Sequence, residues 1–133
     1  QWSSSAASDV YKRQFLPLCE KRGIKIVTGG PYNSGILATG AIEGAFYNYD
    51  PAPEKVMAKV KSIEAVCEAH NVSLKAAALQ FPLLHPTHLS VIPGAQTQNE
   101  LNDNIKVYSE TIPSSLWSDL KSENLLRSDA PID

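Results

Sequence analysis

Two short runs of β-branched and other apolar residues stand out along the chain, and each is followed by a loop rich in glycine or proline. The runs are Ile24-Lys25-Ile26-Val27 and Leu89-Ser90-Val91-Ile92, and both predict strands. Around them apolar residues recur at helical spacing, with Gly23 as the cap of a first helix. The predicted order is helix, strand, helix, helix, strand, helix, helix, which requires parallel strands joined by right-handed crossovers. The pattern therefore predicts an α/β fold.

Capping residues mark the ends of the other helices. Pro53 opens one helix at a first-turn position, and Asn71 can end it in the left-handed conformation. Ser73 is placed to cap the next helix. Thr97-Gln98-Asn99-Glu100 has the Thr-x-x-Glu pattern of a capping box. Pro113 starts the last helix.

The first fourteen residues follow none of these patterns. Residues 1–14 are rich in serine and alanine and have no period that would bury one face. The stretch from Ser4 to Gln14 resembles a translated sequencing adapter, so we interpret residues 1–14 as a non-native or disordered leader. We expect the organised part to cover residues 15–127 and residues 128–133 to form a polar tail.

Composition excludes several classes of function. The 133 residues have a formal net charge of −2 and scattered basic residues, so neither nucleic acid nor an anionic membrane is an expected partner. No apolar run approaches the roughly 20 residues that a membrane helix needs. Cys19 and Cys67 both lie in helix-like sequence and suit apolar packing, which favours a reducing, cytoplasmic setting. No cluster of histidine, cysteine and carboxylate has metal-ligand spacing.

The loops after the two predicted strands are the candidate functional site. Ligands of parallel α/β folds lie beyond the carboxyl ends of the strands, so the loops starting at Thr28 and Pro93 should open on the same side. The first offers glycine backbone with Asn33 and Ser34 as donors, and the second leads into a helix N-terminus that suits an anion. A diphosphate would fit between them. For either loop alone a structural explanation is equally good: the glycines turn the chain, and Thr97 caps its helix.

Three segments, in this order, resemble the aldo-keto reductase family. Gly30-Pro31-Tyr32-Asn33-Ser34-Gly35-Ile36-Leu37 resembles the loop after the seventh strand of that family. Ala76 to Phe81 resembles the helix before the eighth strand, and Ser90-Val91-Ile92-Pro93-Gly94-Ala95 resembles the eighth-strand signature. The glycine-rich run from Gly29 to Gly40, followed by Tyr47-Asn48-Tyr49, is similar to the aldose and pyridoxal dehydrogenase branch of the family.

The resemblance implies a fold, a cofactor and a set of contacts. The fold would be the C-terminal part of a (β/α)8 TIM barrel, comprising strands seven and eight with their helices. The family's pyrophosphate contacts fall on Gly30, Tyr32, Asn33, Ser34 and Gly35. Its adenosine-phosphate and adenine contacts fall on Gly94, Ala95, Gln96, Thr97, Glu100, Asp103 and Asn104.

The second loop favours NAD over NADP as the cofactor. NADP-using relatives place basic residues around the 2′-phosphate, where this sequence has Gly94 and Glu100. A carboxylate repels that phosphate, whereas it can accept a hydrogen bond from the ribose 2′-hydroxyl of NAD. We therefore expect NAD, with NADP as the alternative. The capping-box role of Glu100 is the simpler explanation for this residue, and the two roles are compatible.

No catalytic residue is assigned, because the family's catalytic Asp, Tyr, Lys and His lie on earlier strands. The whole protein is expected to be an NAD(P)-dependent oxidoreductase that oxidises an aldose or a related aldehyde or alcohol, and this chain to supply its cofactor-binding part. Two alternatives stay open: a non-catalytic nucleotide-binding or regulatory protein on the same fold, and a truncated piece with no activity of its own. The expected partner is a small-molecule sugar or aldehyde, and the oligomeric state is undetermined.

Overall fold

The computed structural model describes residues 14–132, which form an α/β arrangement of helices packed beside short strands. The predicted leader, residues 1–14, lies outside the described part apart from its last residue. The helices are α1 (residues 14–21), α2 (Ile36–Thr39), α3 (Glu54–Ala69), α4 (Leu74–Gln80), α5 (Gln98–Tyr108) and α6 (Ser114–Ser122). The strands are β1 (Ile26–Gly29), β2 (Phe46–Tyr47), β3 (Asp50–Pro51) and β4 (His88–Ile92), and a 3-10 helix at Phe81–Leu84 continues α4.

The two predicted strands pair with each other in parallel, as expected. In the register between β1 and β4, Thr28 lies opposite Val91 and Gly29 opposite Ile92. The first strand begins two residues later than predicted, because Ile24 takes part in the C-terminal cap that follows α1. Its N–H donates to the carbonyl of Cys19 at 2.9 Å across the left-handed Gly23. The parallel pairing confirms the central element of the predicted α/β topology.

The predicted helix boundaries are confirmed, with both prolines at the cap position rather than in the first turn. Pro53 and Pro113 precede the first residues of α3 and α6, and Asn71 has a φ of 54° after the end of α3. The hydroxyl of Ser73 accepts from the N–H of Ala76 at 3.1 Å. This bond uses a backbone N–H group that a helix leaves without a partner at its start.

The hydrophobic core lies between the longer helices. Leu79 of α4 and Leu116 of α6 are fully buried, and the ring of Trp117 packs against Phe81 with 5.6 Å between centroids. Cys19 and Cys67 are both free and buried, as their sequence context predicts. Burial, followed by the nearby carboxylates of α3 and of the segment after α5, raises the pKa of the Cys67 thiol to about 11. This thiol therefore packs as an apolar group.

The loop predicted to follow the first strand, beginning at Thr28, contains regular secondary structure. Between Thr28 and Gly44, β1 extends to Gly29 and the short helix α2 follows. Downstream, β2 and β3 form an antiparallel hairpin whose two turn residues, Asn48 and Tyr49, have φ values of 51° and 70°. Positive φ at both central residues is the mark of a type I′ turn. The predicted loop from Thr28 to Gly44 is therefore interrupted by the end of β1 and by α2, and the hairpin beyond it was not predicted.

The face of the sheet turned away from the helices is open in residues 14–132. Val27 and Ile92 point to this side and are 50% and 62% exposed. A mostly apolar groove of about 280 Å³ lies where β4 meets α4 and α5, with Leu83, Leu101 and Ile105 in its wall. None of the helices in the described range is both long and apolar enough to span a bilayer.

Candidate functional site

The candidate site consists of two loops at the carboxyl edge of the parallel strand pair. The first loop, residues 30–35, follows β1, and the second loop, residues 93–97, follows β4. The N–H of Gly30 donates to the carbonyl of Ile92 at 3.3 Å, so the loops begin side by side. The sequence prediction that both open at the same end is thus confirmed.

A side-chain bridge joins the two loops. The phenol of Tyr32 donates to Oδ1 of Asn104 at 2.8 Å, and Nδ2 of Asn104 donates to the carbonyl of Gly94 at 3.3 Å. Asn104 is only 4% exposed. Burial, with a further contribution from the carboxylate of Asp103, raises the pKa of Tyr32 to about 12. The phenol therefore stays protonated and remains a donor.

Lys75 of α4 reaches the same bridge from the side. Its Nζ lies 5.3 Å from the centroid of the Tyr32 ring and forms an ion pair with Oδ2 of Asp103. An ammonium over an aromatic face at this distance makes a cation–π contact. Sequence reasoning missed this residue, although Lys75 is the one charged side chain of α4.

The first loop is held in an unusual backbone conformation. Asn33 and Ser34 have φ values of 45° and 59°, a region that side chains rarely adopt. Oδ1 of Asn33 accepts from the N–H of Asn48 at 2.9 Å, and Oγ of Ser34 accepts from the N–H of Tyr49 at 2.8 Å. These two side chains therefore fasten the β2–β3 hairpin, while the amide nitrogen of Asn33 and the hydroxyl hydrogen of Ser34 remain able to donate.

The second loop ends in the predicted Thr-x-x-Glu cap, but the Glu100 side chain accepts from the N–H of Gln96 instead of the N–H of Thr97 that a capping box uses. Oγ1 of Thr97 accepts from the N–H of Glu100 at 3.2 Å, and Oε2 of Glu100 accepts from the N–H of Gln96 at 2.6 Å. Within the described residues, the N–H groups of Gln98 and Asn99 have no acceptor. These free donors, at the positive end of the α5 dipole, suit an anion.

The structure brings all twelve predicted contact residues to this one edge, in two groups. One group is joined by the side-chain bridge and the ion pair, and the other lies on exposed backbone around it. The bridged group is Tyr32, Asp103, Asn104 and Gly94, and the exposed or half-exposed group is Gly30, Asn33, Ser34, Gly35, Ala95, Gln96, Thr97 and Glu100. Both polar atoms of the Asn104 amide are used inside the protein, so a ligand would meet only its remaining acceptor and donor capacity.

The histidines lie away from the two loops. His70 bonds to Asp119 at 2.7 Å between α3 and α6. His85 and His88 meet edge to face at the start of β4, which is the opposite end of the strand from the second loop. Burial and the neighbouring His85 lower the pKa of His88. In residues 14–132 no three histidine, cysteine or carboxylate side chains come together as a metal site would require.

The chain is similar to one protein family and to curated dehydrogenases. The aldo/keto reductase family model matches residues 1–124. Pyridoxal 4-dehydrogenase of Microbacterium luteolum is 34% identical over 92% of this chain and 36% of its own length. D-threo-aldose 1-dehydrogenase of a Pseudomonas species is 32% identical over 85% of this chain and 35% of its own length.

A third relative carries a different kind of name. It is a probable voltage-gated potassium channel subunit beta of Arabidopsis thaliana, 29% identical over 70% of this chain and 32% of its own length. The chain thus spans about a third of the length of the curated relatives that it matches. With nearly its whole length matched by one family model, the chain belongs to the aldo/keto reductase family.

Proposed function

We propose that this chain is the cofactor-binding part of an NAD-dependent oxidoreductase that oxidises an aldose or a related aldehyde or alcohol. The observation that carries the proposal is the meeting of the two loops, joined through Tyr32 and Asn104, at the carboxyl edge of parallel strands. Family membership and the two dehydrogenase relatives support this reaction class. On this proposal β1 and β4 are strands seven and eight of a (β/α)8 barrel, and residues 15–127 form the C-terminal part of that barrel.

The donors of the two loops fit a dinucleotide. The first loop would hold the pyrophosphate with the amide nitrogen of Asn33 and the hydroxyl of Ser34, both of which can still donate. The free N–H groups of Gln98 and Asn99 would face the phosphate of the adenosine half. Their arrangement supports an anionic ligand lying across both loops.

The charge of the second loop supports NAD rather than NADP. Neither residues 28–53 nor residues 93–105 contain lysine or arginine. The carboxylate of Glu100 stays at the loop because it caps Gln96. A 2′-phosphate carries about −1.5 to −2 charges near neutral pH, so the Glu100 carboxylate would repel it.

The chemistry of the proposed reaction is divided between this chain and upstream residues. A nicotinamide cofactor, when bound, supplies the acceptor for the substrate's hydride. The loops of this chain bind and orient the dinucleotide. As the family resemblance implies, an upstream tyrosine would act as the acid and base, with an upstream lysine and aspartate tuning its pKa. The buried free thiols of Cys19 and Cys67 support a cytoplasmic location.

The decisive test is cofactor preference in the parent enzyme, with this chain joined to its upstream polypeptide. We expect aldose-dependent reduction of NAD, with a higher kcat/KM for NAD than for NADP. Glu100→Arg, combined with Gly94→Lys, should move the preference towards NADP, since a charge-assisted phosphate contact contributes about 1.5–3 kcal/mol. Loss of the cap at Gln96 should offset part of that gain. A wild-type enzyme that already prefers NADP would contradict the NAD assignment.

A second candidate is a nucleotide-binding subunit without catalysis of its own. The observation that favours it is the relative named as a probable potassium channel subunit. The same cleft could then report nucleotide binding to a partner protein. A parent protein that binds NAD at this cleft but turns over no aldose, aldehyde or alcohol would favour this candidate over the enzyme.

A further inference from the structure

Lys75 is the cation that the two loops themselves lack. It comes from α4, which lies outside both loops, yet its ammonium contacts a residue of the first loop and a residue of α5. Its side chain is 16% exposed, whereas that of its partner Asp103 is 50% exposed. The carboxylate is therefore the more accessible half of this ion pair.

The position of the pair within the cofactor site follows from helical spacing. Asp103 lies three residues after Glu100 on α5, so the two carboxylates share one face of the helix. Asn104, the next residue, accepts from Tyr32, whose ring lies under the Lys75 ammonium. Lys75 and Asp103 thus meet where the first loop contacts α5.

We propose that the Lys75–Asp103 pair determines the choice between NAD and NADP, because Asp103 masks the ammonium that would otherwise attract a 2′-phosphate. This inference rests on the proposed function of the two loops as a dinucleotide site. The partly exposed carboxylate repels the phosphate, and it occupies the lysine at the same time. The aromatic face of Tyr32 keeps the ammonium in place when the carboxylate is neutralised.

The alternative role of the pair is purely structural. Lys75 and Asp103 would then only fasten α4 to α5, as a surface ion pair contributing little to stability. Under that role, removing either charge changes the melting temperature of the chain but leaves the ratio of the two cofactor affinities unaltered. The affinity ratio therefore separates the two roles.

The test compares four forms of the parent protein, with this chain joined to its upstream polypeptide: the wild type, Asp103→Asn, Lys75→Met and the double variant. Binding of NAD and of NADP is measured by ligand-observed NMR or calorimetry at fixed ionic strength, and circular dichroism verifies that each protein is folded. Asp103→Asn should raise affinity for NADP relative to NAD by about 10-fold or more, the equivalent of one charge-assisted contact. The gain should vanish in the double variant and decrease as salt is added.

Two further variants complete the design. Glu123→Gln makes the same change of charge at the end of α6 and should leave the affinity ratio unchanged. If Lys75→Met fails to fold, Lys75→Arg in the Asp103→Asn background keeps the cation and should keep the gain.

The outcomes separate this inference from the proposed function. A folded wild-type parent protein that binds neither NAD nor NADP would refute the proposed function, and this inference with it. Nucleotide binding with an unchanged ratio in Asp103→Asn would overturn only the role of the ion pair. A gain that persists undiminished in the double variant would overturn the role of Lys75 and assign the effect to removal of the Asp103 charge alone.

Discussion

The first and second loops leave neighbouring strands at the same edge, yet they are held in different ways. Tyr32, Asn33 and Ser34 of the first loop bond to groups 72, 15 and 15 positions away in the chain. Thr97 and Glu100, which shape the second loop, bond to groups three and four positions away. The side-chain bonds of the first loop therefore depend on the surrounding fold, whereas the side-chain bonds of Thr97 and Glu100 are local.

Among the variants that test this contrast, Asn104→Ala is expected to have the largest effect on stability. The variant leaves the part-buried Tyr32 phenol without its acceptor and the Gly94 carbonyl without its donor. We expect the free energy of unfolding to fall by about 2–3 kcal/mol, since leaving buried polar groups unpaired costs about 1–3 kcal/mol. Urea denaturation measures the loss, and amide hydrogen exchange should show faster opening of residues 30–35.

Asn102→Ala is the matched control for this variant. Asn102 lies on the same helix, is exposed and bonds only to Gln98 of that helix. Its removal should change stability by no more than about 0.5 kcal/mol. Equal losses in the two variants would mean that Asn104 does not bridge the loops.

A smaller and more local effect is expected from Thr97→Ala. The variant removes the acceptor for the Glu100 N–H, and loss of such a cap costs about 0.5–2 kcal/mol. Thr97→Ser retains the hydroxyl and should retain most of the stability. Hydrogen exchange should increase in the first turn of α5 and stay unchanged in residues 30–35. Faster exchange in the first loop would show that the second loop is not self-supporting.

The effect that is smallest at neutral pH appears only at alkaline pH and concerns the Tyr32 end of the bridge. The fold raises the pKa of Tyr32 from about 10 to about 12, so the folded state holds this proton more tightly than the unfolded state does. The stabilising contribution is complete below pH 10 and is lost as the pH rises from about 10 through 12. Urea denaturation at several pH values should show a shallower alkaline decline for Tyr32→Phe than for the wild type. Identical alkaline declines in the stability of the two proteins would contradict the raised pKa of Tyr32 in the folded state.

The same contrast explains which parts of the site could be predicted from sequence. The second loop was predictable because Thr97 and Glu100 lie within one short motif whose chemistry is local. The bond from Tyr32 to Asn104 and the approach of Lys75 depend on packing between distant segments. No local pattern specifies such contacts. The parallel pairing of β1 and β4 was predictable because alternating elements restrict the topology.

The hairpin between β2 and β3 escaped prediction for a related reason. Type I′ turns favour Asn-Gly at their central positions, and this turn has Asn48-Tyr49 instead. The N–H groups of both turn residues donate to the side chains of Asn33 and Ser34, and these bonds stabilise the strained backbone in spite of that preference. The helix α2, with four residues, is too short to produce a helical period.

The contact between the first loop and this hairpin joins two pairs of left-handed residues, Asn33-Ser34 and Asn48-Tyr49. One side-chain oxygen of each residue in the first pair accepts from one backbone N–H of the second pair, so each pair helps to stabilise the conformation of the other. A substitution in one pair alters the conformational requirement on the other. During divergence of the family, the two pairs are therefore expected to change together, as one unit of selection rather than as two separate surface loops.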